Sequence, residues 1–310
     1  MSFAFIFPGQ GSQSVGMLAE LAESNSVVID TFTEASAALG YDLWALIQDG
    51  PAESLNQTDR TQPAMLTAGV ACWRVWQQQG GAMPTMMAGH SLGEYTALVC
   101  SGAMSLADGV SLVADRGRFM QEAVAAGEGA MAAVLGMDDD AVRSVCADAA
   151  EGDVLSAVNF NSPGQVVIAG NTAAVERATV LAKERGAKRA IVLPVSVPSH
   201  CSLMESAAEK LQERLAAISI STPNIPVVNN VDVDAPSDVE QIKQALVKQL
   251  SNPVRWVETI NSLSDNDINI AVECGPGKVL AGLNKRINKE FPAYPLFDTA
   301  SLATALEAVK

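Results

Sequence analysis

Met86-Met87-Ala88-Gly89-His90-Ser91-Leu92-Gly93 reads as a short apolar run that breaks into a G-x-S-x-G turn, followed by the helix-forming stretch Glu94 to Cys100. A buried strand feeding a sharp turn and then a helix is the local unit of a parallel sheet covered by helices. The same context lets the turn expose a serine hydroxyl as a nucleophile. The pattern by itself also fits a plain small-residue crossover turn, and the strand–turn–helix setting favours the nucleophile. Gly89 and Gly93 are expected to permit the tight backbone and the positive dihedral of such an elbow. The amide of Leu92, at the helix N-terminus, would face a developing oxyanion.

A serine hydroxyl needs a base within hydrogen-bond reach, and the chain holds only two histidines. His90 adjoins Ser91, and neighbouring side chains on a sharp turn point apart. By elimination the base is His200, in Val197-Pro198-Ser199-His200. A lone histidine is ordinarily a satisfied structural residue; here a serine elbow needs a partner and no other imidazole is left.

Outward from the elbow, Phe3-Ala4-Phe5-Ile6-Phe7 is strand-like and breaks at Pro8-Gly9-Gln10-Gly11-Ser12, a loop that presents backbone amides at a strand end. Helical patterns follow at Met17 to Glu23, Val27 to Leu39, Pro63 to Gln79 and Ser105 to Val124. The middle reads differently: strand Ala130 to Leu135, helix Asp138 to Ala150, strand Leu155 to Asn159, strand Gln165 to Ala169, helix Thr172 to Arg185, strand Ala187 to Leu193. That βαββαβ order is ferredoxin-like. The chain resumes with helix Ser202 to Ala217, strand Val227 to Asn229, helices Val239 to Leu250 and Trp256 to Leu263, strand Asn269 to Glu273 and helix Val279 to Asn288. The expected fold is α/β: a large α/β-hydrolase-like domain with a parallel sheet, from 1–126 and 197–310, carrying an inserted small ferredoxin-like subdomain over 127–196. His200 falls where the insertion returns, so insertion and base would meet at one cleft.

Composition narrows the function. A length of 310 residues, 48% hydrophobic and 18% charged, suits a globular enzyme. A formal charge of −15 argues against general nucleic-acid or membrane-surface binding. Clusters such as Lys183-Glu184-Arg185-Gly186-Ala187-Lys188-Arg189 and Lys285-Arg286-Ile287-Asn288-Lys289 could supply a local basic patch for an acidic partner, although their ordinary reading is a solvated helix end. Five widely spaced cysteines (Cys72, Cys100, Cys146, Cys201, Cys274) resemble buried thiols of a reducing compartment. No metal-spaced cluster, basic leader or run of about 20 apolar residues is present in the sequence. A cytoplasmic protein without a metal or other cofactor is the expectation.

Taken serially, Phe7-Pro8-Gly9-Gln10-Gly11-Ser12-Gln13, Gly89-His90-Ser91-Leu92-Gly93-Glu94, Asp115-Arg116-Gly117, Asn159-Phe160-Asn161-Ser162-Pro163-Gly164-Gln165, Pro198-Ser199-His200, Pro226-Val227-Val228-Asn229-Asn230, Gln249-Leu250-Ser251-Asn252-Pro253-Val254 and Glu273-Cys274-Gly275-Pro276-Gly277 resemble, in order and over nearly the whole chain, the malonyl-CoA:acyl carrier protein transacylase family. The resemblance implies a two-step transfer through a malonyl-serine ester on Ser91, from malonyl-CoA to the phosphopantetheine thiol of holo acyl carrier protein, in a monomer that supplies fatty acid synthesis. It implies that a backbone carbonyl, at Gln249, rather than a carboxylate holds the second ring nitrogen of His200. It implies an oxyanion site between the amides of Leu92 and Gln10, with Gln10 also lining the pocket. It implies that Arg116 grips the malonyl carboxylate with paired hydrogen bonds; without it, Arg116 reads as a helix-surface arginine beside Asp115. Asn161 is expected to hold the subdomain, Gly275-Pro276-Gly277 to form a tight turn and Cys201 to pack. A hydrolase and a non-catalytic carrier-binding module are the rival readings, and the small Ser199 leaves room for methylmalonyl. No phosphate-binding glycine loop for coenzyme A is visible.

Overall fold

The computed structural model describes residues 2–195 and 197–310. Its centre is β1 (Phe3–Phe7), every residue of which is fully buried. A strand covered on both faces needs a continuous apolar run rather than alternation, and FAFIF supplies one. Side chains still alternate between faces. Phe3, Phe5 and Phe7 point to one side, where the Phe5 ring lies 5.2 Å from both Trp73 and Trp76. Ala4 and Ile6 point to the other, against Trp256, Ile260 and Leu280.

After β1 come the helices α1 (Ala19–Ser24), α2 (Ser26–Leu39), α3 (Leu43–Asp49), α4 (Ala52–Leu55) and α5 (Thr58–Gln78), then β2 (Met86–Gly89), α6 (Leu92–Cys100) and α7 (Leu106–Ala123). The helix expected from Pro63 begins five residues earlier, at Thr58. Pro63 removes one hydrogen bond near the helix end, and burial of Thr58, Thr61, Gln62 and Ala64 offsets that loss.

The middle of the chain forms β3 (Gly129–Leu135), α8 (Asp139–Ala150), β4 (Leu155–Ser162), β5 (Gln165–Asn171), α9 (Thr172–Glu184) and β6 (Arg189–Val192). These strands make their own antiparallel sheet in the order β4-β5-β3-β6, the ferredoxin-like arrangement. The β4–β5 hairpin turns at Pro163-Gly164, with Gly164 at φ 74°. α8 and α9 cover one face of the sheet around Val142, Val145, Val175 and Ile168. The other face, with Met131, Val158 and Val167, packs on Cys201 and Leu203 of the returning chain. The expected subdomain limit at residue 196 lies outside the described residues.

The return begins with a 3-10 turn (Ser202–Met204) that leads into α10 (Glu205–Ala216), then β7 (Val227–Val228), α11 (Val239–Gln249), α12 (Trp256–Asp265), β8 (Ile270–Cys274), α13 (Val279–Ile287), β9 (Ala293–Leu296) and α14 (Thr299–Ala308). The large sheet runs β7-β2-β1-β8-β9, all parallel. The α/β architecture with a parallel sheet and a smaller ferredoxin-like sheet is therefore as expected. The sequence reading did not include α3, α4, β9 or α14. β9 is a four-residue edge strand containing Pro295, a weak signal of its own. α14 is alanine-rich, although the Asp298–Ser301 capping box marks its start. No helix among the described residues is long and apolar enough to cross a membrane.

Candidate active site

The turn after β2 is set by contacts that leave no room for side chains. A Cβ built at Gly89 would lie 1.9 Å from the backbone of Gly93, and one at Gly93 would lie 2.1 Å from the carbonyl oxygen of Phe7. The two glycines serve close backbone approach. The positive dihedral expected of them belongs to Ser91 itself, at φ 51°, ψ −110°. A non-glycine residue in that region is strained, and such strain persists only where surroundings over-determine it. Here Asn230 does so: its Oδ1 accepts from the Ser91 amide at 2.6 Å and its Nδ2 donates to the Gly89 carbonyl at 2.6 Å.

Ser91 Oγ lies 2.8 Å from Nε2 of His200. On the far side of the ring, Nδ1 is 2.7 Å from the carbonyl oxygen of Gln249. A carbonyl can only accept, so Nδ1 carries the proton and Nε2 is left as the acceptor for the serine hydroxyl. His200 is buried and sits at φ 68°, tied by its amide to the Leu250 carbonyl at 2.9 Å. Burial, followed by the nearby positive charge of Arg116, pushes its pKa down to about 3, so the imidazole is neutral at ordinary pH. His90 turns the other way. Its Nε2 donates to Oδ1 of Asn161 at 2.7 Å and its ring packs on Trp256, which links the nucleophile turn to β4.

Arg116, on α7, is almost completely buried, so the helix-surface reading does not hold. Asp115 faces outward instead, to Arg118 and Arg214. The guanidinium donates to Oε1 of Gln62 at 2.8 Å and Oε1 of Gln249 at 3.0 Å, and approaches Ser91 Oγ at 3.5 Å. The ring of Tyr95 lies 5.2 Å beneath it. Its Nε has no acceptor among the described residues, and none of its hydrogen-bond partners is a carboxylate. A buried cation held by neutral acceptors keeps most of its charge for a ligand.

These groups open on a cavity of about 440 Å³, within the range for small-molecule sites. Gln10, Leu92, Met120, Asn159, Ser199 and the Leu193–Val195 segment share its lining, so both sheets contribute walls. Gln10 sits at the exposed rim, its side chain reaching Thr58 Oγ1 at 3.4 Å. Leu92 is the first residue of α6, where a backbone N–H has no partner within the helix. Gln165 lies away from the cavity, beside Arg286 and Lys188 in a separate cleft of about 590 Å³. Cys201 packs beneath the subdomain, and Gly275 and Gly277 turn with positive φ. Among the described residues, no three His, Cys, Asp or Glu side chains converge as for a metal.

Three contributors were not assigned roles from the sequence. Gln62 and Glu94 lie in helices where a polar residue reads as surface, yet both are buried. Oε2 of Glu94 accepts from the Asn230 amide at 2.9 Å and from Nε2 of Gln249 at 2.8 Å. Burial pushes the Glu94 carboxyl up to about 7, against the lowering effect of those two donors and of Arg116. The signal for Asn230 was the Asn229-Asn230 pair directly after a strand.

Comparison with known proteins identifies the family. The acyl transferase domain family model matches residues 4–295. The chain is 60% identical over 304 residues to the malonyl CoA-acyl carrier protein transacylase of Salmonella typhimurium, covering 98% of both chains. The Bacillus subtilis protein of the same name is 46% identical over 308 residues, with 99% of this chain and 97% of that one covered. Among solved structures, an acyl carrier protein S-malonyltransferase from Vibrio cholerae superposes with a TM-score of 0.96 at 59% identity, over the full length of both chains. A malonyl-transacylase solved in complex with its type II PKS acyl-carrier protein superposes with a TM-score of 0.98 at 55% identity, over 99% of this chain and 100% of that one. The half-buried Ser91, the buried His200 bonded to it, the Gln249 carbonyl and the buried Arg116 thus sit in a chain that belongs to the acyl transferase family and, within it, to the malonyl CoA-acyl carrier protein transacylases.

Proposed function

We propose that this chain moves a malonyl group from malonyl-CoA to the phosphopantetheine thiol of acyl carrier protein by way of an ester on Ser91, supplying fatty acid synthesis. The observation that carries the reading is the continuous Ser91–His200–Gln249 relay placed against Arg116, a buried cation with no carboxylate hydrogen-bonded to it among the described residues. Ser91 Oγ attacks the thioester carbon while its proton passes to Nε2 of His200. The amides of Leu92 and Gln10 stabilise the oxyanion. The intermediate collapses, the carbon–sulfur bond breaks, and the coenzyme A sulfur leaves with the proton from His200. The carrier thiol then gives its proton to His200, attacks the ester, and Ser91 recovers its hydrogen as the new thioester forms.

The Gln249 carbonyl replaces the acid of a triad: it orients the ring and fixes the tautomer without adding a negative charge. Arg116 binds the malonyl carboxylate, which a generic esterase has no use for, and that disfavours the hydrolase reading. An intact relay disfavours the non-catalytic module. Ser199 and Met120 at the cavity wall set how much room an α-methyl group has. We assign 1–126 and 197–310 to the catalytic domain and 127–196 to the inserted subdomain, and expect a monomer in the cytoplasm.

Intact-protein mass after brief mixing with malonyl-CoA tests the reading. A malonyl adduct is expected on the wild type, absent in Ser91→Ala and discharged by holo acyl carrier protein. Loss of a charge-assisted pair in Arg116→Ala should slow malonyl acylation roughly 10- to 100-fold relative to acetyl-CoA. An adduct that decays to free malonate without the carrier would point to a hydrolase, and a wild type that forms none would revive the binding module.

A further inference from the structure

The Gln249 side chain holds Arg116 with Oε1, and its Nε2 is shared between the Ser91 carbonyl at 3.1 Å and Glu94 Oε2 at 2.8 Å. The same Glu94 oxygen accepts the amide of Asn230, whose side chain holds both the Ser91 amide and the Gly89 carbonyl. One buried oxygen therefore joins two arms. One arm runs through Asn230 to the nucleophile turn, and the other runs through Gln249 to the guanidinium. Glu94 touches neither Ser91 Oγ nor His200 in its hydrogen bonds, so its effect passes through these neighbours.

We propose that Glu94 is a positioning residue for acyl-group selection: its Oε2 anchors the Gln249 amide so that Arg116 stays aimed at the cavity, and through Asn230 it holds Ser91 in register with that guanidinium. The inference rests on the assignment of Arg116 to the acyl carboxylate made above. Acceptor geometry is what the position supplies. Glutamine at 94 can present an oxygen to both donors, whereas leucine at 94 leaves the Asn230 amide without its acceptor and Gln249 Nε2 with the Ser91 carbonyl alone.

The test is the ratio of Ser91 acylation rates with malonyl-CoA and with acetyl-CoA, read by mass for wild type, Glu94→Leu, Glu94→Gln, Arg116→Ala and the Glu94→Leu/Arg116→Ala pair. Glu94→Leu is expected to lower the malonyl-to-acetyl ratio by roughly tenfold or more, and Glu94→Gln to restore most of it. On the Arg116→Ala background, Glu94→Leu should change the ratio little, because both act through one guanidinium. General damage to the fold would slow both substrates alike and leave the ratio standing. Should Glu94→Leu not fold, Glu94→Asp withdraws the oxygen by one methylene, and the same fall in the ratio is required of it. An unchanged ratio in a folded Glu94→Leu or Glu94→Asp, alongside a lowered one in Arg116→Ala, overturns the role of Glu94 alone. An unchanged ratio in Arg116→Ala overturns the assignment on which it rests.

Discussion

At the scale of single residues, Ser91 and His200 share an uncommon property: both are non-glycine residues with positive φ, at 51° and 68°. Each is held there by backbone and side-chain bonds from distant segments, Asn230 for the serine and Leu250 for the histidine. Strain of this kind, of order 1–3 kcal/mol per residue, is met by the packing around it and leaves Oγ and Nε2 aligned before substrate arrives. The His200 ring also differs from a free histidine. With its pKa pushed down to about 3, it stays neutral through the range where an ordinary imidazole takes up a proton. In Glu94→Gln, where no carboxyl beside the site titrates in this range, the rate of Ser91 acylation, followed by rapid quenching and mass, should therefore be level from about pH 8 to about pH 5. An acid limb centred near 6.5 would mean that the ring is solvated as in a peptide. The pairing of Ser91 with His200 was legible from scarcity, since two histidines leave few choices. Gln62 and Glu94 were not legible, because a polar side chain within a helix looks the same in sequence whether it faces water or a buried guanidinium.

At the scale of elements, the G-x-S-x-G stretch is a packing requirement as much as a chemical one. α6 starts so close to the end of β1 that the Phe7 carbonyl occupies the space of any Cβ at position 93. Gly93→Ala should cost about 1–3 kcal/mol through forced backbone shifts, lowering the urea midpoint. Gly282→Ala is the control: it lies inside α13 with nothing within 4 Å of the added methyl, and should stabilise by about 0.5–1 kcal/mol from helix propensity. Equal effects of the two substitutions would refute the close-approach account. Long amphipathic helices and apolar strands were readable because their periodicity repeats. α3, α4 and β9 are too short to establish a period, and in α14 small alanines carry little contrast between faces.

At the scale of the whole molecule, the cavity exists because two sheets are held against each other. β4 of the small sheet is stitched to the large domain by Phe160 N to Val254 O at 3.0 Å and Val254 N to Val158 O at 2.8 Å, and Asn161 reaches His90 across the same seam. The buried ionisable groups make stability depend on pH in opposite senses. His200 resists protonation when folded, so the unfolded chain binds the extra proton and stability falls as pH drops below about 6.5 toward 3. Glu94, raised to about 7, keeps its proton when folded after the unfolded chain has lost it. Its contribution is complete below about 4.5 and is lost as pH rises through 7. Glu94→Gln cannot titrate, so its thermal midpoint relative to wild type should be higher at pH 8 than at pH 5. A difference that does not change with pH would show that Glu94 has an ordinary carboxylate pKa in the folded protein.

The α/β alternation of the longer elements, the βαββαβ unit, the serine at its elbow and the one histidine left to meet it could be read from the chain alone. These follow from local periodicity, turn chemistry and a count of imidazoles, none of which depends on distant contacts. The meeting of Arg116, Gln62 and Gln249, the holding of Ser91 by Asn230 and the joining of both arms at Glu94 were decided only by tertiary structure. Those residues come from α5, α6, α7, α11 and the turn after β7, and Gln62 and Gln249 lie at opposite ends of that span of the chain. Whether a polar side chain there is a surface group or a buried hydrogen-bond partner depends on which helix face the sheet covers, and that is settled when the elements pack.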